Sequence, residues 1–314
     1  MPNQQPLITA IVSTYNAERF MHGCMEDLIA QTIFEKLEIL VIDSGSQQGE
    51  SAICAEYASK FPQIKLLRTE REPLYAAWNR VLPLARGRYL TNCNTDDRHN
   101  HDFFEIMSNA LTTMPDVALA YAEQYLSETE NETFEQCASC NARIQKVPEY
   151  APGELMLRCI TGSQPMWRRE LHDQLGSFDT RYQIAADYDM WLRIASRYPL
   201  YRVPGPLGVF FTSPQTISGS NNRAKMNRET LAIQQHFMAQ AQWRTIPGIR
   251  KALSRELFCR GYQRIENERD GRAAEPFIRE AIRLDPSNFK YLKTYLLRCV
   301  ISTHPKPSSA LPSS

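Results

Sequence analysis

Two kinds of block alternate along the first third of the chain. Residues 7–12 (LITAIV) and 37–42 (LEILVI) are nearly unbroken runs of apolar and β-branched side chains, the pattern of strands buried on both faces, and 64–68 is a shorter run of that kind. Between them, 21–31, 50–60 and 74–85 carry helical patterns. Gly87-Arg88 turns the chain into a strand beginning at Tyr89, and a helical run over 103–113 leads to another strand near 117–122. Strand, helix, strand, helix with short links predicts an α/β fold, a mostly parallel sheet flanked by helices. In such a sheet, ligand-binding residues gather at the C-terminal ends of the strands, where strand order reverses.

Three polar clusters occupy those ends: Ser13-Thr14-Tyr15-Asn16, Asp43-Ser44 and Asn94-Thr95-Asp96-Asp97. Taken singly, Asp, Asn and Ser after a strand are ordinary turn and cap residues. Three in register can converge on one crevice. Asp96 and Asp97 are adjacent like charges at a strand end, a placement that makes sense beside something positive, most simply a divalent metal with oxygen ligands.

The second half is less regular. Residues 127–150 are polar and without period, which predicts a loop or irregular hairpin over the crevice. Asp187-Tyr188-Asp189-Met190-Trp191 opens a helix, 209–212 reads as a last strand, and 219–222 as a flexible loop. From Arg244 the pattern is of consecutive helices, and the Pro- and Ser-rich end, THPKPSSALPSS, reads as disordered. The expected division is 1–240, an α/β domain; 241–302, a helical appendage; and 303–314, a disordered tail.

Composition narrows the function. The chain has 314 residues, 43% hydrophobic and 23% charged, as in an ordinary globular protein. A formal net charge of +1 argues against a nucleic-acid partner, which would call for a basic excess. Eight cysteines in no dense framework, with no signal peptide, suggest a reducing, cytoplasmic setting. No apolar run reaches the roughly 20 residues of a membrane helix, so membrane contact is expected to be peripheral. Cys137 and Cys140 have the spacing of a zinc or redox pair but no second pair beside them. His99 and His101 follow the acidic pair, where surface histidines, metal ligands or acceptor contacts are all open. Trp78 and Trp191 fit core or pocket wall.

Four motifs in order, VSTYNAERF, LVIDSGS, ARGRYLTNCNTDD and GSFDTRYQIAADYDMWLRIA, resemble the family 2 glycosyltransferases over about residues 7–229. The resemblance implies a GT-A fold and an inverting, metal-dependent hexosyltransferase. Such an enzyme moves one sugar from a nucleotide-diphosphate sugar to an acceptor hydroxyl, in cell-surface polysaccharide or glycoconjugate synthesis. It implies nucleotide and substrate contacts at Ser13, Thr14, Tyr15, Asn16, Asp43, Ser44, Asn79, Asn94 and Asp96. Asp96 and Asp97 would hold Mn2+ or Mg2+ on the diphosphate, and Asp187 would be the base, with Asp189 beside it on the acceptor side. The first acid of the family's Asp-x-Asp-Asp is Asn94 here, and the Glu before the base is Ala186. The Gln-x-x-Arg-Trp of processive relatives is missing, which suggests one sugar per encounter. Capping of the following helix is the competing reading of Asp187 and Asp189.

The rivals are a nucleotidyltransferase, for which VSTYNAERF lacks a Gly-rich phosphate loop, and a catalytically weak nucleotide-sugar-binding scaffold, against which the four acids Asp43, Asp96, Asp97 and Asp187 stand. The acceptor, whether glycan, lipid-linked or protein, is not legible. GRAAEPFIREAIRLDPSN resembles half of a tetratricopeptide unit. Residues 244–298 hold 13 Lys and Arg against 7 Asp and Glu, a solvated basic face open to a peripheral membrane or protein contact.

Overall fold

The computed structural model describes residues 5–216 and 219–300. Of these, the residues up to Thr230 form one compact unit and those from Leu231 another. The tail expected to be disordered lies outside the described residues.

The first unit is a nine-stranded mixed sheet with helices. Its strands are β1 (Ile8–Thr14), β2 (Leu37–Ser44), β3 (Ile64–Thr69), β4 (Tyr89–Asn92), β5 (Arg98–His99), β6 (Leu119–Ser127), β7 (Ile144–Gln145), β8 (Met166–Arg168) and β9 (Leu200–Phe211). The order is β3-β2-β1-β4-β8-β6-β9-β5, with β7 on β6. From β3 to β4 the pairs are parallel, as the apolar runs predict, and β1 and β2 are almost wholly buried. The sheet turns antiparallel at β8 on both sides, and β6 pairs β9 in parallel.

The core follows from the period-2 rule. Ile8, Ala10 and Val12 of β1 share a cluster with Met21, Cys24, Met25 and Leu28 of helix Glu18–Ile29 and with Phe103, Phe104 and Met107 of helix Phe103–Thr113. Helix Leu74–Val81 packs over β1 and β2. Gly87 lets the chain into β4 pass against β1, since a Cβ there would lie 2.3 Å from the Thr9 backbone nitrogen.

Some expectations change. The 127–150 stretch contains helix Phe134–Ser139, closed by a capping box in which Thr133 and Gln136 exchange side-chain and backbone bonds. The last strand is twelve residues long, not four, because Pro204, Gly205 and Pro206 hid its continuity from the apolar pattern. Ser220–Asn222 is a short 3-10 turn.

In the second unit, helices Ile249–Gln263 and Gly271–Leu284 pack closely. Ala274, Phe277, Ile278, Ala281 and Leu284 are buried. Gly261 sits where a Cβ would be 2.7 Å from Ile278 and 3.2 Å from the Ala274 carbonyl oxygen. Ser254 Oγ donates to the Ala281 carbonyl at 2.7 Å. No helix among the described residues is long and apolar enough to cross a membrane.

Candidate active site

β1 lies between β2 and β4, so the chain leaves it toward opposite sides and a gap opens at the strand ends. Thr14 stands beside Asp43 in the β1–β2 register. Asp43 is fully buried; burial pushes its carboxyl up, but hydrogen bonds from the Ser51 hydroxyl and the Ser46 backbone, at 2.8 Å, together with Arg68 at 3.7 Å, outweigh this and hold it below the usual range. Ser44 Oγ both donates to and accepts from the Glu72 backbone, at 2.9 and 2.8 Å. Asn16 takes a left-handed φ of 51°, tolerable for Asn, and its Oδ1 accepts from the Gln47 amide at 2.9 Å. The Arg71 guanidinium covers the exposed Tyr15 ring at 3.7 Å, and Trp78 Nε1 donates to Ser13 Oγ at 3.1 Å. The buried Thr14 hydroxyl has no hydrogen-bond partner among the described residues.

The acidic pair follows β4. Asp97 is buried and fixed from both sides: Oδ2 accepts from Ser163 Oγ at 2.7 Å and Asn94 Nδ2 at 2.9 Å, and Oδ1 from the Phe211 amide at 3.1 Å. Its neighbour Asp96 is half-buried, and no ion pair reaches either carboxylate among the described residues. Burial and the Asp96 charge push Asp97 up to about 8, and burial raises Asp96 also. The Arg19 charge offsets the rise at Asp96 only in part, and a divalent cation would supply the rest of the counter-charge. Among the described residues no group of three or more His, Cys, Asp and Glu forms a full cage. Two carboxylates with phosphate and water completing the shell are the habit of Mg2+ and Mn2+, so the pair fits such an ion.

Asp187 lies in the first turn of helix Ala186–Ala195. Burial raises its carboxyl, while the Tyr188 amide at 2.8 Å and the Tyr75 hydroxyl lower it in part. The turn ahead of this helix is held from outside: Glu229 accepts from the Gln183, Ile184 and Ala185 amides at 3.1, 2.8 and 3.0 Å. Asp187 Oδ1 itself accepts from the first-turn Tyr188 amide, so the capping reading of Asp187 stands beside the base reading. Asp189 faces elsewhere, paired with Arg193 at 2.8 Å, whose guanidinium also holds the Leu175 and Ser177 carbonyls. Asn79 spends its amide on the Phe178 backbone, donating to its carbonyl at 2.8 Å and accepting from its amide at 2.9 Å. Residues 158–165 run between the two acidic positions, with Ser163 on Asp97 and the Cys159 thiol within the field of Asp187.

Sequence reasoning missed Tyr75, Ser163, Gln124 and Glu229. Gln124 Nε2 donates to Ser163 Oγ at 2.8 Å and so steadies the residue that steadies Asp97. None belongs to a strand-end cluster, which was the signal followed. His99 is no surface residue: it is buried against Phe103 and Phe104 at 4.9 and 5.9 Å, neither ring nitrogen has a hydrogen-bond partner among the described residues, and burial lowers it to about 4. His101 is exposed. Cys137 is buried and Cys140 exposed within one short helical turn.

Known proteins resemble the chain in both sequence and fold. Over 130 residues, 41% of this chain, it is 33% identical to the uncharacterized glycosyltransferase YibD of Escherichia coli K12, spanning 38% of that protein. Over 198 residues, 63% of this chain, it is 22% identical to an Escherichia coli chondroitin synthase, spanning 28% of it. The chain thus covers well under two thirds of these relatives. Staphylococcus aureus TarS (residues 1–349) superposes with a TM-score of 0.65 at 14% identity, covering 91% of this chain and 82% of that one. The mannosyltransferase PcManGT of Pyrobaculum calidifontis, in complex with GDP-Man and Mn2+, does so with 0.59 at 17% identity, covering 96% and 89%. These likenesses show a GT-A-type fold. Residues 9–176 match glycosyl transferase family 2, more than half of the chain, and the chain belongs to that family.

Proposed function

We propose that the first unit transfers a single sugar from a nucleotide-diphosphate donor to an acceptor hydroxyl, with inversion at the anomeric carbon. The observation that carries this reading is the adjacent pair Asp96 and buried Asp97 at the switch point, both raised by burial and flanked by the Ser13–Asn16 and Asp43–Ser44 clusters. Solved relatives by fold support a nucleotide-sugar donor: TarS was determined with UDP and with UDP-GlcNAc, and PcManGT with GDP-Man and Mn2+. The chondroitin and hyaluronan synthases among its sequence relatives support a role in polysaccharide or glycoconjugate synthesis.

In this reading Ser13, Tyr15 and Asp43 receive the nucleoside, with Arg68 and Arg71 beside them, and Asp96 and Asp97 hold Mn2+ or Mg2+. Such an ion, when bound, neutralises charge on the departing diphosphate. Asp187 takes the acceptor proton. Its raised pKa suits that task, because a base works best when its pKa approaches the operating pH. Tyr75, through the Ile184 carbonyl at 3.0 Å, and Glu229 fix the turn that presents it. Asn79 and Asp189 act through others, tying down Phe178 and Arg193. A lone base facing the leaving diphosphate makes the displacement in-line, hence inverting.

A thermal-shift panel of UDP, GDP, dTDP and CMP sugars, with and without Mn2+, tests the reading. One donor should raise the melting temperature in a metal-dependent way, because a ligand bound only by the folded state stabilises it. No shift with any donor at millimolar concentration would remove the proposal.

A further inference from the structure

The last described helical stretch, 289–300, an α-helix Phe289–Thr294 continued by a π-helix Tyr295–Val300, presents exposed apolar side chains. Phe289 is 82% exposed, Leu292 43% and Leu296 47%. These three, spaced by three and four positions, are among only seven large apolar side chains exposed in the described residues, so the exposure is concentrated here. On the opposite side Tyr291 is buried and stacks on Phe258 at 4.2 Å. Its cations are Lys290, whose ammonium lies 5.6 Å from the centre of the Phe258 ring, Lys293 and Arg298, and it carries no acid; among the described residues Arg298 alone of the three has a carboxylate partner, Glu266 at 3.1 Å.

An apolar stripe edged by lysines is the pattern of a helix that lies flat in a membrane interface. A Phe and two Leu enter the acyl boundary while Lys290 and Lys293 meet headgroups. The surrounding sequence adds to the field, with 13 Lys and Arg against 7 Asp and Glu over 244–298. A second copy of the same face is a poorer occupant, because a symmetric contact would bring these lysines toward their own equivalents. We infer that helix 289–300 docks the protein on an anionic lipid surface through Phe289, Leu292 and Leu296, with Lys290 and Lys293 reading the headgroup charge. This is independent of the donor site and stands or falls without it.

The test is co-sedimentation of the full chain with vesicles of phosphatidylcholine alone or mixed in equal parts with phosphatidylglycerol. Binding is expected to the mixed vesicles, to weaken with salt, and to be slight on the neutral ones. Leu292→Glu and Leu296→Glu should each weaken it roughly tenfold or more, from lost apolar burial. Lys290→Gln and Lys293→Gln should each weaken it about fivefold at low salt. All four positions are exposed, so melting temperatures should stay near that of the parent, and the lysine variants keep the test valid if a glutamate variant does not fold. Equal binding to both vesicle types, or parental binding by the folded variants, overturns the inference. A dimer on size exclusion that Leu292→Glu disperses, with no lipid binding, gives the face to a second copy and overturns it equally.

Discussion

The Ser163 hydroxyl donates to Oδ2 of Asp97 at 2.7 Å, and Ser163 is in turn held by Gln124. Asp97 is therefore aimed by a network that strands β6 and β4 share with the loop before β8. Ser163→Ala should weaken metal-dependent nucleoside diphosphate binding by about five- to thirtyfold, the size of a lost hydrogen bond to a charged group. Asp97→Ala should abolish the difference between Mn2+ and EDTA. Calorimetry decides: equal affinity under all four conditions removes the metal role.

Asp187 and Asp189 separate by what their loss changes. Asp187→Asn keeps shape and loses the base, so turnover at saturating donor should fall about a hundred- to ten-thousandfold with little change in melting temperature. Asp189→Asn breaks the Arg193 pair and should cost about 1–3 kcal/mol of stability instead. A collapse of turnover confined to Asp189→Asn would move the base there.

Glu229 satisfies three amides ahead of the Asp187 helix. Its replacement by Ala should cost about 1–2 kcal/mol, as for a lost helix cap, and lower kcat through a poorly held Asp187. Glu229→Gln, which keeps an acceptor, should recover part of both. Unchanged denaturant midpoint and turnover in Glu229→Ala would show the turn to be held by other means.

His99 carries a pH signature. Its pKa is lowered by burial to about 4 in the fold, against 6.5 when unfolded, so between those values the unfolded chain binds the extra proton. Stability from neutral His99 is complete above about 6.5 and lost as pH falls through about 4, on the order of 3 kcal/mol in all. His99→Met should flatten that part of the stability profile. A profile of unchanged slope between pH 6.5 and 4 would show that other groups set it.

Gly87→Ala tests the fold alone. The added methyl meets backbone atoms of Ile8 and Thr9 that no rotamer change can move, so the cost should be about 1–3 kcal/mol or more. A melting temperature equal to that of the parent would mean that β1 and the chain entering β4 have room for a methyl group between them.

The parallel half of the sheet was legible because β1 and β2 are long, buried and unbroken, and the strand-end clusters followed from them. β5 and β8, of two and three residues, are too short to show a period, so the antiparallel turn of the sheet was not readable. Glu229 lies more than forty residues from the amides it holds, and Ser163 more than sixty from Asp97; neither distance leaves a trace in local pattern. His99 followed a polar run and sat in the core because its strand pairs with Gly208.

Helix Leu74–Val81 touches both sides of the reaction. Trp78 bonds Ser13 near the end of β1, Tyr75 donates to the Ile184 carbonyl at 3.0 Å in the turn before Asp187, and Asn79 closes both polar groups of Phe178. The strand end proposed to receive the nucleoside and the turn before the proposed base are therefore tied to one short helix. Under the proposed roles, side-chain changes within this helix should alter donor and acceptor preference together.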